Sequence, residues 1–357
     1  HIRLRPGTNV AVLNMMLYFI IESKLQKEDF ILSRTEGFEN FLKGIKKLNI
    51  DQLAKVAGVD KQQVKEAAIA YATAGNSMEF HGLGVTEHEQ GSKTVMLIAD
   101  LAMITGNIGR KGVGVNPLRG QNNVQGAADM GCQPHQGAGY FPVADEKIQN
   151  FYTEKYGVVH PTKAGLKIPQ IFDAAINKEV KAVWIIGEDV VQTDPNSAHV
   201  AKAMNALDLL VVQEIFLSET AKHADVVLPG TTFLEKDGTF TNTERRVQRV
   251  NRAAKPLPGT KPDGVIVTEM MQKLGYNQPI YDADQVLAEI ADVVPFFKGI
   301  TRERLGKMGL QWPVKEDGTD TKILHQKEFK LGKGRIKYFD FKESSELEKN
   351  KKEYPLI

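Results

Sequence analysis

Apolar positions in this chain fall into two regimes, which predict two kinds of element. From Val10 to Ile21 they run almost unbroken, interrupted by Asn14. A bilayer needs roughly 20 apolar residues, so this run reads as a buried helix over about Asn9–Lys24, with Thr8 as its cap. Val64, Ala67, Ala68 and Tyr71 recur at helical spacing behind Asp60, which predicts a capped helix reaching Ala74. SMEFHGLG reads as a strand ending in glycines, and a strongly apolar helix starts at Ser92, with Gly106 where a C-terminal cap belongs. The second half changes period. KAVWIIG (181–187), DLLVVQ (208–213) and DVVLP (225–229) read as buried strands, separated by a helix over Asn196–Ala206 and a short one near Glu219. Strands alternating with helices predict an α/β fold with a parallel, doubly wound sheet whose ligands lie beyond the carboxyl ends of its strands. That rule selects Gly187, Glu188 and Asp189, then Gln213 and Glu214, then Pro229 and its successors.

Composition narrows the function classes. At 357 residues the chain has length for about two or three domains. Its 46 Lys and Arg nearly cancel 44 Asp and Glu, and no basic run is interleaved with aromatics, which argues against a nucleic-acid partner. No segment predicts a membrane span. The single cysteine, Cys132, excludes an internal disulfide framework and an iron-sulfur cluster held by this chain alone, since such clusters want about four thiolates. Cys132 with His135 could be half a metal site, but no second pair lies at suitable spacing, and no metal ligand is expected.

The chemistry concentrates in loops. NPLRGQNNVQGAADMG (116–131) combines an arginine, side-chain amides and glycines. Arg119 offers a planar fork for a carboxylate or phosphate, and glycines let backbone N–H groups approach a ligand; an ordinary turn-rich loop is the alternative. GEDVVQTD (187–194) stands where a parallel sheet binds nucleotide, and its alternative is a solvated acidic loop. TNTERR (241–246) reads as a charged hairpin. His81 and His88 lack a third ligand and read as solvent or core histidines. No G-x-G-x-x-G precedes any of the predicted helices, so a conventional nicotinamide site has little support.

Taken together, LAMITGNIGRKGVGV (101–115), the amide-rich loop and GTFTNTERRVQRV (238–250) closely resemble the molybdenum- or tungsten-dependent formate dehydrogenases, within the larger family of oxidoreductases that carry a bis(molybdopterin guanine dinucleotide) cofactor. The resemblance runs from His1 to Ile357. It implies that Gly187, Glu188, Asp189 and Thr193 form the guanosine-binding edge of one dinucleotide, that Gln213 and Glu214 also face the guanosine, and that Asp263 pairs with a guanine. It further implies that Asn242, Glu244 and Arg245 surround a pterin or phosphate, that Leu83 and Glu87 lie in a loop against a pterin, and that Gln121 belongs to the cofactor-binding loop. Arg119 would orient formate. The chain departs from the family pattern at four places: Val190 stands for a frequent Pro, Glu87 for a common Gln, Gly264 for the usual Trp after Asp263, and Cys132 for a small apolar residue.

The implied organisation is a central piece of a longer enzyme. A first α/β lobe is expected over 1–121 with a return segment at 233–262, a second over 122–232 continued by 263–330, and a linker over 331–357 toward a β-barrel domain; HIRLR at the start is strand-like. The family's 4Fe-4S cluster and its cysteine or selenocysteine metal ligand would precede His1. The expected activity is oxidation of formate to CO2 or its reverse at a Mo or W centre, with electrons passing to an iron-sulfur subunit or domain, in a cytoplasmic enzyme; this piece alone would be inactive. Alternatives are a nitrate reductase-like relative and a non-catalytic scaffold sharing the fold.

Overall fold

The computed structural model describes residues 1–344, which divide into two compact units: 1–120 joined by the chain from 322 onward, and 121–321. In the first unit the helix Asn9–Glu22 is central, with Val10, Ala11, Met15, Leu17 and Ile20 almost wholly out of solvent. A helix apolar on nearly every side must be surrounded. The helices Ile50–Ala57, Lys61–Thr73 and Gly91–Ile104 supply the surroundings. Asn14, the polar interruption, is fully buried and donates from Nδ2 to the Phe339 carbonyl at 2.9 Å. The expected cap at Thr8 does not form: its hydroxyl donates to the Arg5 carbonyl at 2.5 Å, and the helix stops at Glu22 rather than Lys24. Asp60 does cap, accepting from Gln62 N at 2.7 Å and Gln63 N at 3.3 Å. Gly106, at φ 69°, lies past the end of Gly91–Ile104 with its N–H on the Met103 carbonyl, as a C-terminal cap requires. The strand Met78–His81 pairs in parallel with Gly114–Pro117, whereas residues 1–5 form no strand.

Two expected boundaries are corrected. The segment that returns to the first unit begins at Lys322, not at 233. There Gly334–Arg335 pairs in parallel with Thr35–Glu36, and Ile336 is 3% exposed within the helical core. Asp100 and Gln90, both buried, spend their side chains on this segment's backbone: Asp100 Oδ2 accepts from Lys337 N, while Gln90 accepts from Lys342 N and donates to the Asp340 carbonyl. Residues 331–344 are therefore packed structure rather than linker, and the rest of that expected linker, 345–357, lies outside the described residues.

The second unit is continuous from Gln121 to Thr321. Its parallel sheet has Ala182–Ile186, Leu209–Glu214 and Val226–Pro229 side by side in chain order, close to the predicted strands. The helices Ile168–Ile176 and Ser197–Ala206 cover it, joining Phe172, Ala175, Val200 and Ala203 to Ile185, Leu210 and Val212 in one core. The segment 233–262 stays in this unit because its hairpin, Gly238–Thr241 with Arg246–Val250, carries Val247 into a second core with Leu287, Phe297 and Ile300.

Candidate functional site

The three strands of the second unit end together, and the selected residues collect there. Gly187, at φ 65°, turns the chain out of the first strand while its N–H bonds to the Gln213 carbonyl at 2.9 Å. Gln213 is 1% exposed; its Nε2 donates to Asp263 Oδ1 at 2.8 Å, and its Oε1 is buried without a partner. Asp263 opens the helix Asp263–Lys273 and accepts on its other oxygen from Lys236 Nζ. Gly230, at the end of the third strand, leaves room for this carboxylate: a Cβ there would come within 3.1 Å of Asp263 Oδ1. Gln213 and Asp263 are thus joined at a strand end, with the Gln213 oxygen buried and the Asp263 carboxylate shared with Lys236. Lys236, 27 residues from its carboxylate partner, had no signal in the sequence.

The other residues of this edge divide between inward and outward roles. Asp189 folds back: its Oδ1 accepts from Thr220 N at 2.8 Å and Thr220 Oγ1 at 2.6 Å, and its Oδ2 from Glu219 N at 3.3 Å. Burial acts upward on its pKa, but these bonds from Thr220 and Glu219, with Lys222 nearby, hold it below the ordinary carboxylate value. Glu188 and Thr193 are exposed and bonded to one another at 2.7 Å, and Glu214 accepts from Ile215 N. Glu188 and Thr193 face solvent, and Asp189 shapes the turn that carries them.

TNTERR forms the turn of the antiparallel hairpin, with Arg245 at φ 65°. Asn242 Oδ1 accepts from Glu244 N at 3.1 Å and Arg246 N at 3.0 Å, closing the turn with its own side chain. The bond from Arg246 Nε holds the Glu244 carboxyl below its ordinary value. Arg245 lies over the Trp312 ring, 5.4 Å from its centroid, and donates to the carbonyls of Trp312 and Thr321. The amide-rich loop braces this hairpin. Asn123 Oδ1 accepts from Thr241 N at 2.9 Å, and the fully buried Asp129 accepts from Gln125, from the Tyr140 hydroxyl and from Trp312 Nε1 at 2.9 Å. Much of the amide-rich loop thus grips its own unit, while Gln121 is exposed. Between the hairpin and Asp263 lies a cavity of about 310 Å³ lined by Asn123, Lys236, Phe240 and Tyr281 among others. Tyr281 occupies the space over Gly264, where an added Cβ would meet its ring at 2.4 Å, so a larger residue such as the family's Trp cannot stand there without moving it.

In the first unit, Leu83, Glu87 and Arg119 are all exposed, on two loops that run alongside one another. Leu118 N donates to the His81 carbonyl at 2.7 Å, and Leu83 Cδ1 is 4.0 Å from where a Gly120 Cβ would sit. His81 is 6% exposed, and burial together with the Arg119 guanidinium pushes its pKa below the ordinary histidine value. Among the described residues no cluster of three or more His, Cys, Asp or Glu could hold a metal, and Cys132 is exposed.

A family model described as molybdopterin oxidoreductase matches residues 1–273, three quarters of the chain. The chain belongs to the molybdopterin oxidoreductase family. It is similar to the F420-dependent formate dehydrogenase subunit alpha of Methanocaldococcus jannaschii, with 43% identity across 100% of this chain and 53% of that protein. It is also similar to formate dehydrogenase H of Escherichia coli, with 37% identity across 100% of this chain and 51% of that protein. The chain therefore spans about half the length of these curated relatives. Among solved structures it resembles acetylene hydratase from Pelobacter acetylenicus, with a TM-score of 0.64 at 20% identity, covering 85% of this chain and 44% of that one, a likeness of fold. Membership implies a molybdopterin cofactor with its metal. No described helix is long and apolar enough to cross a membrane.

Proposed function

We propose that this chain is the central cofactor-binding part of a cytoplasmic formate dehydrogenase, holding guanine dinucleotide forms of molybdopterin around molybdenum or tungsten and passing electrons to a 4Fe-4S cluster outside residues 1–357. Two kinds of support bear on different halves of this reading. Similarity to formate dehydrogenases over the whole chain supports the substrate. The Gln213–Asp263 pair supports the nucleotide, and it is the observation that carries the assignment. The Watson–Crick edge of guanine presents an N–H and an amino group as adjacent donors, and the buried, unpartnered Gln213 Oε1 beside the Asp263 carboxylate is a matching pair of acceptors. Adenine presents one donor beside an acceptor, which the pair would reject.

When bound, the metal supplies a two-electron acceptor. The chain's residues do the rest. Gln213 and Asp263 read the base, Glu188 and Thr193 face the ribose and phosphate side, and the braced hairpin of Asn242, Glu244 and Arg245 fixes the backbone near a pterin. Formate offers almost no apolar surface, so its binding rests on charge-assisted hydrogen bonds from the exposed Arg119 fork. Leu83, Glu87 and Gln121 complete the loops on either side of it in sequence. Calorimetry of the chain with guanosine and adenosine diphosphates tests the nucleotide assignment. A guanine preference that disappears in Asp263→Asn is expected; equal binding of the two nucleotides overturns it.

A further inference from the structure

Lys236 stands at the nucleotide edge, and the reading above gives it no task. It lies just before the hairpin strand Gly238–Thr241, where its Nζ donates to Asp263 Oδ2 and, at 3.4 Å, to the Thr231 carbonyl. An ammonium carries three hydrogens, so one is left for a further acceptor. The side chain is 27% exposed, and together with Asp263 it lines the cavity of about 310 Å³ beside the hairpin, so that hydrogen is within reach of a ligand. Two buried oxygens without hydrogen-bond partners bracket the ion pair. Gln213 Oε1 lies on the Asp263 side and Thr231 Oγ1 on the Lys236 side, in residues that are 1% and 2% exposed. Buried polar atoms are nearly always paired, so two orphans around one partly open ion pair point to a ligand site rather than to a bridge that only holds the fold.

Hydrogen bonds string three of these residues together, from Gln213 Nε2 to Asp263 Oδ1 and from Lys236 Nζ to Asp263 Oδ2. Taken in the order Gln213, Asp263, Lys236, the side chains offer acceptor, acceptor, donor. The Watson–Crick edge of guanine offers the complement in the same order: amino group, N1–H, O6. We propose that Lys236 determines specificity at the six-position of the base, donating its third hydrogen to guanine O6 while Gln213 and Asp263 accept from the amino group and N1–H. The inference rests on the reading of this edge as a guanine site. Lys236 acts there in two ways. Its charge balances the Asp263 carboxylate, so the ion pair as a whole is neutral and takes a neutral base, where a lone carboxylate would favour a cation. Its donor also excludes adenine, whose six-position amino group would set donor against donor, in addition to losing the bond from N1.

Calorimetric titration of the cofactor-free full-length protein with a set of nucleoside diphosphates tests this. 6-Thioguanosine diphosphate keeps the amino group and N1–H but puts a poor acceptor in place of O6, whereas inosine diphosphate lacks only the amino group. Wild type should bind guanosine diphosphate about tenfold or more tighter than the thio analogue, as a lost charge-assisted hydrogen bond requires. In Lys236→Met the two should bind about equally, while the preference over inosine diphosphate persists and discrimination against adenosine diphosphate narrows. Lys236→Arg retains the charge and the donors and should keep the wild-type order. An ion pair that merely holds the fold would weaken all of these nucleotides alike in Lys236→Met, with their ratios unchanged, and that result overturns the proposal. So does a wild type that binds guanosine diphosphate and its thio analogue equally while rejecting inosine and adenosine diphosphates, an outcome read without any variant should Lys236→Met fold poorly. If wild type does not distinguish guanosine from adenosine diphosphate, the reading of the edge as a guanine site fails first, and this inference falls with it.

Discussion

Replacing Asp100 by asparagine should stabilise the protein, and by an amount that grows with pH. Asp100 is 1% exposed inside the helix Gly91–Ile104, and burial raises its carboxyl from 3.8 to about 8, opposed only by the bond from Lys337 N and the nearby Lys337 charge. In the unfolded chain the same carboxyl titrates near 4. Between these two values the folded state holds a proton that the unfolded state has lost, so stability falls as pH rises through the window. A shift of about four units, at about 1.4 kcal/mol each, puts the full cost of the ionised form on the order of 5 kcal/mol above pH 8 and somewhat less at pH 7. Asparagine keeps an oxygen for Lys337 N and carries no charge, though its amino group needs a partner and costs about 1–3 kcal/mol without one. Denaturant unfolding of wild type and Asp100→Asn across pH 4 to 8 measures the difference. It should be near zero or slightly negative at pH 4 and reach several kcal/mol in favour of the variant at pH 8. Glu79 also loses a proton in this range, which tilts both curves alike and cancels in the difference. A gap that stays constant with pH would refute the account of a buried carboxyl held neutral by its surroundings.

Other perturbations reach the remaining parts of the molecule. Arg119→Lys in the full-length enzyme keeps the charge but loses the planar fork, so kcat/KM for formate should fall roughly ten- to a hundredfold with cofactor content unchanged, read by steady-state kinetics and metal analysis. Gly264→Ala drives a Cβ into the Tyr281 ring and should cost about 1–3 kcal/mol, a penalty that shrinks in a Tyr281→Ala background; a double-mutant cycle in denaturant measures the coupling. Trp312→Phe removes one donor from the fully buried Asp129 and thins the ring under Arg245, and should lower stability by about 1–3 kcal/mol while loosening the hairpin amides to hydrogen exchange. The 357-residue chain, purified alone, should carry no stoichiometric molybdenum, tungsten or iron by elemental analysis, because its one cysteine cannot supply a cluster's ligands.

The sequence by itself determined the local elements and the ends at which a ligand would gather. Periodicity sets Ala182–Ile186, Leu209–Glu214 and Val226–Pro229 as parallel strands, because near-continuous apolar runs must be buried and the intervening helix can cover them. Their carboxyl ends name Gly187, Gln213 and Glu214 without further information. Asp60 caps its helix as a local carboxylate next to free N–H groups must. The tertiary structure alone decided the long-range partnerships. No pattern links Asn14, Gln90 and Asp100 to the backbone of 337–342, or Lys236 to Asp263, because a hydrogen bond between residues far apart leaves no period in the chain. For the same reason the segment after 330 reads as a linker from its charges, yet residues 331–344 pack, since one strand pair and the buried Ile336 outweigh their polar composition. Arg245 and Asp189 were legible as charged loop residues. Only the fold turns the first onto Trp312 and the second onto Thr220, where each satisfies backbone or side-chain groups that burial would otherwise leave unpaired.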